Sequence, residues 1–204
     1  MAMTDRTQQA PTEDRRRRMT PTDLALVASF AALISAFAYI GGIPVGGAGV
    51  PITLQTAGVM LAGVLLGPTR GFLAVALYLA LGAVGLPVFA QHASGLGAMT
   101  GASAGYLWSF PVAALVGGLL VKYAAGERGK SRAAIVFVCS LAASVLVIHP
   151  AGIAGLAFYL DISLVEALKI DVLYWAGDLL KTTLVALVAA EVHRAFPQLL
   201  RARR

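Results

Sequence analysis

Apolar stretches broken by glycine and proline run through residues 20–190 of this chain. Thr20-Pro21 supplies an N-cap and a first-turn proline, which predicts a helix from there to about Ile40. Gly41 to Pro51 holds five glycines and two prolines in eleven residues and must be a loop. A second apolar span runs from about Ile52 to Leu66 and stops at Gly67-Pro68. A third runs from Gly71 to Val84 and is closed by Gly85-Leu86-Pro87. Residues 88–104 are glycine-rich and irregular, too long for an ordinary connection. A fourth span covers about Gly105 to Val121, Lys122 to Arg132 is a polar loop, and a fifth span covers about Ala133 to Ile148. After His149-Pro150 comes a mixed segment to Asp171, read as a loop with a short interfacial helix. The sixth span is about Val172 to Ala190.

Composition fixes the class. The chain of 204 residues is 58% hydrophobic and 13% charged, with mean hydropathy +0.79. Soluble domains carry about 25% charged residues, so a soluble core protein is excluded. Closed barrels need alternating ten-residue segments, absent here, so the expectation is an all-α polytopic membrane protein with six transmembrane helices. The expected organisation is a disordered basic cytoplasmic tail at 1–19, a membrane domain at 20–194 and a basic cytoplasmic tail at 195–204. No small-residue cleavage site follows the basic N-terminus, so no secretory signal is expected. The net charge of +6 raises nucleic acid as a partner, but the basic residues cluster at one set of helix ends. Arg6, Arg15 to Arg18, Arg70, Lys122, Arg128, Lys130, Arg132, Arg194, Arg201, Arg203 and Arg204 fall on one side. Lys169 alone falls on the other, and Lys181 lies within a span. This bias places both termini in the cytoplasm and the loops 41–51, 86–104 and 149–171 outside.

Asp178 and Lys181 form an acidic–basic pair inside the apolar stretch Val172 to Ala190, about two turns from its outer end. A charge at the middle of a membrane helix costs about 2.5–3.5 kcal/mol even on lenient insertion scales. At i,i+3 the two side chains share a helix face. They are either a ligand site or a structural bridge, and their cost favours the site. The outer loops and adjoining helix ends add neutral polarity at Thr53, Gln55, Thr56, Gln91, His92, Ser94, Ser103 and Tyr106. Irregular backbone above a buried pair suggests a covered pocket for a small polar metabolite.

Other signals carry less. Ala124 to Ser131 nearly matches the GxxxxGK[ST] phosphate loop, but Ala124 replaces its first glycine and a membrane span precedes it. His92, His149 and His193 share no metal-ligand spacing, and His92 and His149 read as structural or rim positions. Cys139 reads as a small hydrophobe. No nucleophile–base arrangement emerges, so an enzyme is not expected. Ala28, Ala32 and Ala36 recur every four residues, as do Gly63, Gly67 and Gly71. Such faces allow close helix approach, either within the bundle or, for the alanines, against another membrane protein.

Val50-Pro51-Ile52-Thr53-Leu54-Gln55-Thr56 followed by Leu61 to Pro68 resembles the first signature of the BioY family. These are the biotin-specific substrate-binding (S) components of energy-coupling factor (ECF) transporters. Tyr78-Leu79, Gly82, Gly85 to Phe89, Gly105 to Leu107 and the closing Gly177-Asp178-Leu179-Leu180-Lys181 continue the resemblance across about residues 22–191. Three places depart from the family's pattern. Gly101 to Tyr106 stands for Gly-Pro-Thr-Gly-Gly-Tyr, Tyr174-Trp175-Ala176 for a Pro-Phe-containing lead, and Gly155 for an aromatic after Gly152.

The resemblance implies biotin captured from outside. It also implies a transmembrane scaffold partner and cytoplasmic ATP-binding subunits that alone use ATP, with no cofactor on this chain. The family's ligand-binding Asp and Lys carry over onto Asp178 and Lys181. Chemistry agrees, because a carboxylate can accept from ureido N–H groups and an ammonium can donate to the ureido carbonyl. Thr53, Gln55, Gln91 and Tyr106 are further polar candidates, and Leu86, Phe89 and Trp175 are apolar walls. An S component for another vitamin, and a scaffold protein with a structural Asp–Lys bridge, remain the alternatives. A homo-oligomer stays open.

Overall fold

The computed structural model of the chain describes residues 19–45, 47–124 and 132–196, with the side chain of Arg132 excepted. Most of both tails, and the phosphate-loop-like stretch apart from Ala124, lie outside these residues. Helix α1 (Pro21–Tyr39) opens on Thr20, whose hydroxyl accepts from the backbone N–H of Asp23 while the Asp23 carboxylate accepts from that of Thr20. This reciprocal cap satisfies two otherwise orphaned donors. The loop that follows contains a two-residue antiparallel ribbon, β1 (Ile43–Pro44) against β2 (Pro51–Ile52).

Helix α2 (Gln55–Leu66) is apolar all round, and every residue except Thr56 is buried. A helix without a polar face has nowhere to sit but the middle, and α2 packs against α1, α3, α5 and α8. Gly67, at φ 86°, joins it to α3 (Pro68–Ala83), where Pro68 starts the new helix. Only glycine adopts that backbone without penalty. The irregular stretch then contains a 3₁₀ turn at Ala90–His92 and a single helical turn, α4 (Gly95–Ala98). Helix α5 (Ala104–Ala124) returns along α2 and α3.

The largest departure from the sequence expectation comes next. His149-Pro150 does not end the fifth span. Helix α6 (Arg132–Ala143) passes through a π-helical segment, Ser144–Ile148, straight into α7 (His149–Leu160). Proline in a helix interior lacks a donor and clashes with the carbonyl four residues back. A wider π turn just before Pro150 relieves that conflict, so the rod continues. Asp161, in the left-handed region at φ 53°, stops it, and Ser163 with Glu166 forms a second capping box. Helix α8 (Leu164–Ala195) therefore begins eight residues before the expected Val172. The expected outer segment 149–171 shrinks to the turn around 161–163. Asp178, fourteen residues from Leu164, sits near the middle of a 32-residue helix rather than two turns from an end.

Among the described residues, four helical rods are long and apolar enough to cross a membrane: Pro21–Tyr39, Ala104–Ala124, Ala133–Leu160 and Leu164–Ala195. Two shorter apolar helices, Gln55–Leu66 and Pro68–Ala83, accompany them. Leu24, Trp108, Leu146, Phe158, Leu180 and Leu187 are exposed, and contiguous exposed apolar surface of this kind belongs against lipid. The chain is an all-α membrane protein.

Glycines set the closest approaches. A Cβ at Gly63 would collide with the Ala114 carbonyl, one at Gly71 with Gly63 and Ala62, and one at Gly118 with the backbone at Gly63 and Pro68. The expected Gly63–Gly71 small-residue face thus packs inside the bundle. Gly63→Ala should force α2 and α5 apart at a cost of about 1–3 kcal/mol. The measurement is thermal unfolding in detergent, where a lowered midpoint is expected for this variant and an unchanged one for Gly97→Ala, whose surroundings are open.

Candidate functional site

The N-terminal end of α2 faces a cavity of about 320 Å³, within the range of small-molecule sites. The ribbon loop, the segment 89–103, α5, α7 and α8 close around it. Its walls are mostly apolar: Val50, Ile52, Phe89, Leu107, Phe110 and Ile148. Phe89 is seated against Gly82, where any side chain would strike its ring, and meets Tyr78 edge-on at 5.5 Å. Tyr78 in turn accepts a 2.6 Å hydrogen bond from the Gln55 amide, which holds that side chain in place.

Asp178 and Lys181 lie in the lining, both buried, with Lys181 Nζ 2.6 Å from Asp178 Oδ1. Lys181 also donates to the Thr53 carbonyl at 3.2 Å, tying α8 to the chain entering α2. An ammonium has three N–H donors, so one remains for a ligand. Thr56 donates to Asp178 Oδ1 at 3.4 Å. Among the described residues, Lys181 is the cavity's one cationic side chain and Asp178 its one carboxylate.

The structure brings Thr53, Gln55, Phe89, Gln91, Tyr106, Asp178 and Lys181 to this one cavity. Gln91 reaches it from a left-handed backbone, φ 56°. Two apolar candidates stand elsewhere. Leu86 is exposed and outside the lining. Trp175 is also outside it: one helical turn after Asp171, it turns to donate its indole N–H to that carboxylate at 2.8 Å. Ala28, Ala32 and Ala36 are all exposed, so among the described residues nothing covers this face.

Sequence reasoning missed a polar cluster beside the pair. Asp171 is fully buried and accepts from the Tyr106 hydroxyl (2.8 Å), the Trp175 indole (2.8 Å) and His149 Nδ1 (2.8 Å). The other ring nitrogen of His149 lies 3.3 Å from Asp178 Oδ2. His149 is therefore not a rim residue: it is buried between two carboxylates. A usable signal was present, because Asp171, Tyr174, Asp178 and Lys181 recur at helical spacing and share one face of α8. The misplaced start of the last helix hid it.

Close helix crossing makes the cluster. A Cβ at Gly152 would strike the Tyr106 ring, and Gly105 and Gly155 bring the α5 and α7 backbones together. Tyr174, whose hydroxyl donates to the Val50 carbonyl at 3.1 Å, anchors the ribbon loop to α8.

A lipid-facing helical bundle enclosing an apolar cavity, with one acid–base pair in its wall, defines a membrane protein built to hold a small molecule. Comparison with known proteins gives the family. The BioY family profile matches residues 10–198. The biotin transporter BioY of Rhodobacter capsulatus is 40% identical over 195 residues, covering 89% of this chain and 98% of the relative. That of Rhizobium etli is 35% identical over 183 residues, with the same shares covered. The crystal structure of the S component for biotin from an ECF-type ABC transporter superposes with a TM-score of 0.76 at 28% identity. The match covers 87% of this chain and 95% of that one. The chain belongs to the BioY family, whose members are transport proteins rather than enzymes.

Tyr174→Phe removes the tie between α8 and Val50 without emptying space. A neutral hydrogen bond contributes about 1 kcal/mol, so amide exchange across residues 47–52 should quicken roughly fivefold while α2 stays as protected as before. Hydrogen-exchange mass spectrometry reads both segments in one experiment.

Proposed function

We propose that this chain captures biotin from outside the cytoplasmic membrane and serves as the substrate-specific component of an ECF-type importer. The observation that carries the reading is the Asp178–Lys181 pair lining an apolar cavity, in a chain whose relatives are biotin transporters. Biotin's bicyclic head offers two ureido N–H donors and one carbonyl acceptor. Asp178 Oδ2 retains a lone pair for an N–H, and the third N–H of Lys181 serves the carbonyl. Phe89, Leu107 and Phe110 suit the apolar ring and aliphatic chain. Thr53, Gln55, Gln91 and Tyr106 are the secondary polar contacts.

In this reading the four long rods and the two short apolar helices make six crossings, with both termini inside. The distribution of arginine and lysine supports that orientation. Energy comes from ATP-binding subunits through a membrane scaffold, and the uncovered Ala28–Ala32–Ala36 face of α1 is the docking site.

Asp178→Asn places an amide where an acceptor is needed. Loss of a charge-assisted hydrogen bond in a desolvated site costs about 1.5–3 kcal/mol, roughly a ten- to hundredfold weaker biotin affinity. Calorimetry on the folded, detergent-purified variant checks this. Unchanged affinity would leave the pair as a structural bridge, and no biotin binding by the wild type would point to another ligand.

Ala32→Leu adds bulk on an exposed small-residue face. It should impair co-purification with the scaffold subunit while leaving biotin affinity unchanged. Normal co-purification would place the docking surface elsewhere on the chain.

A further inference from the structure

His149 is the first residue of α7, directly after the π segment, and its side chain is almost wholly enclosed. Its two ring nitrogens meet two different carboxylates, Asp171 Oδ2 at 2.8 Å and Asp178 Oδ2 at 3.3 Å. The other groups around Asp171, the Tyr106 hydroxyl and the Trp175 indole, both donate. A group that only receives is a carboxylate, so Nδ1 carries a proton toward it. That leaves Nε2 facing Asp178. A neutral ring would aim its lone pair at a carboxylate oxygen, whereas an imidazolium donates to both acids.

The charge count agrees. Asp171 and Asp178 carry two negative charges and Lys181 one positive charge, so a protonated ring brings the enclosed set to neutrality. Trp175 packs against the imidazole at 5.2 Å, a contact that also favours a cation. The remaining titratable groups of the neighbouring helices lie farther off. Tyr106 of α5 is beyond Asp171, Tyr174 of α8 is bonded to Val50, and Cys139 of α6 is ten residues back, about 15 Å along the rod.

We infer that His149 is a positioning residue for the ligand's acceptor. As an imidazolium braced by Asp171, it fixes Asp178 Oδ2 so that the free lone pair meets a ligand N–H. This rests on the reading of Asp178 as that acceptor. Without the ring, the donation to Oδ2 is lost and one negative charge stands uncompensated, so affinity falls.

The test is biotin binding to the detergent-purified full chain. His149→Gln keeps a donor without the charge and should bind about tenfold more weakly. In the Asp178→Asn background the same change should cost nothing further, because its effect runs through Asp178. Nitrogen-15 signals of the His149 ring in the ligand-free wild type should show a proton on both nitrogens. This measurement stands even if the variant does not fold. Wild-type affinity in His149→Gln overturns the inference, as does a tenfold loss in both backgrounds or a ring with one bare nitrogen. No biotin binding by the wild type overturns the transport reading itself, and this inference with it.

Discussion

Burying charge in a membrane bundle is the constraint on which the rest of this structure turns. Asp171, Asp178, Lys181 and His149 are all enclosed, and an unpaired charge there costs several kcal/mol. Each group is tolerable only while its partners stay in place, so the cluster dictates geometry well beyond itself. His149 on α7 must reach two carboxylates on α8, Tyr106 must reach from α5, and Lys181 must hold the Thr53 carbonyl ahead of α2. Three helices and the loop ahead of α2 are fixed relative to one another by a single chain of donors and acceptors. The same low dielectric that makes the cluster demanding makes its hydrogen bonds strong.

The opposite end of α2 solves a different problem. Lipid tails are as apolar as leucine, so burial gives little drive for helices to associate there, and close van der Waals contact must supply it. Gly63, Gly71 and Gly118 let three backbones meet around the C-terminal half of α2. That end of the bundle is held by close packing, with an ion pair, Arg70 to Asp23 at 3.2 Å, between α3 and α1. The other is held by polar groups around a cavity. A binding site fits the second end because its irregular loops and spare hydrogen-bonding capacity are already there.

The positions where the chain departs from its family's usual pattern acquire work in this arrangement. Tyr174 anchors the ribbon loop through Val50, and Trp175 completes the donor set around Asp171. Gly155 admits the α5 backbone at Gly105, which places Tyr106 over Asp171. Two of the three departures, on the contacting helices α7 and α8, thus serve one shared cluster.

The sequence by itself determined the class of protein, most helix positions and the central pair. Hydrophobic run length, glycine–proline punctuation and the cost of an intramembrane Asp–Lys pair are local signals, and local signals survive without a structure. It also marked Thr53, Gln55, Phe89, Gln91 and Tyr106, which the fold gathers at one cavity. Tertiary structure decided what His149-Pro150 does. Whether a proline ends a helix or is absorbed by a π turn depends on the packing around it, and here α5 and α8 hold the rod together across it. From that one choice follow the length of α8, the central depth of Asp178, the joining of His149 to Asp171, and the loss of Trp175 from the cavity wall. Periodicity places residues on a face, but only the packed neighbours decide which face looks into a site.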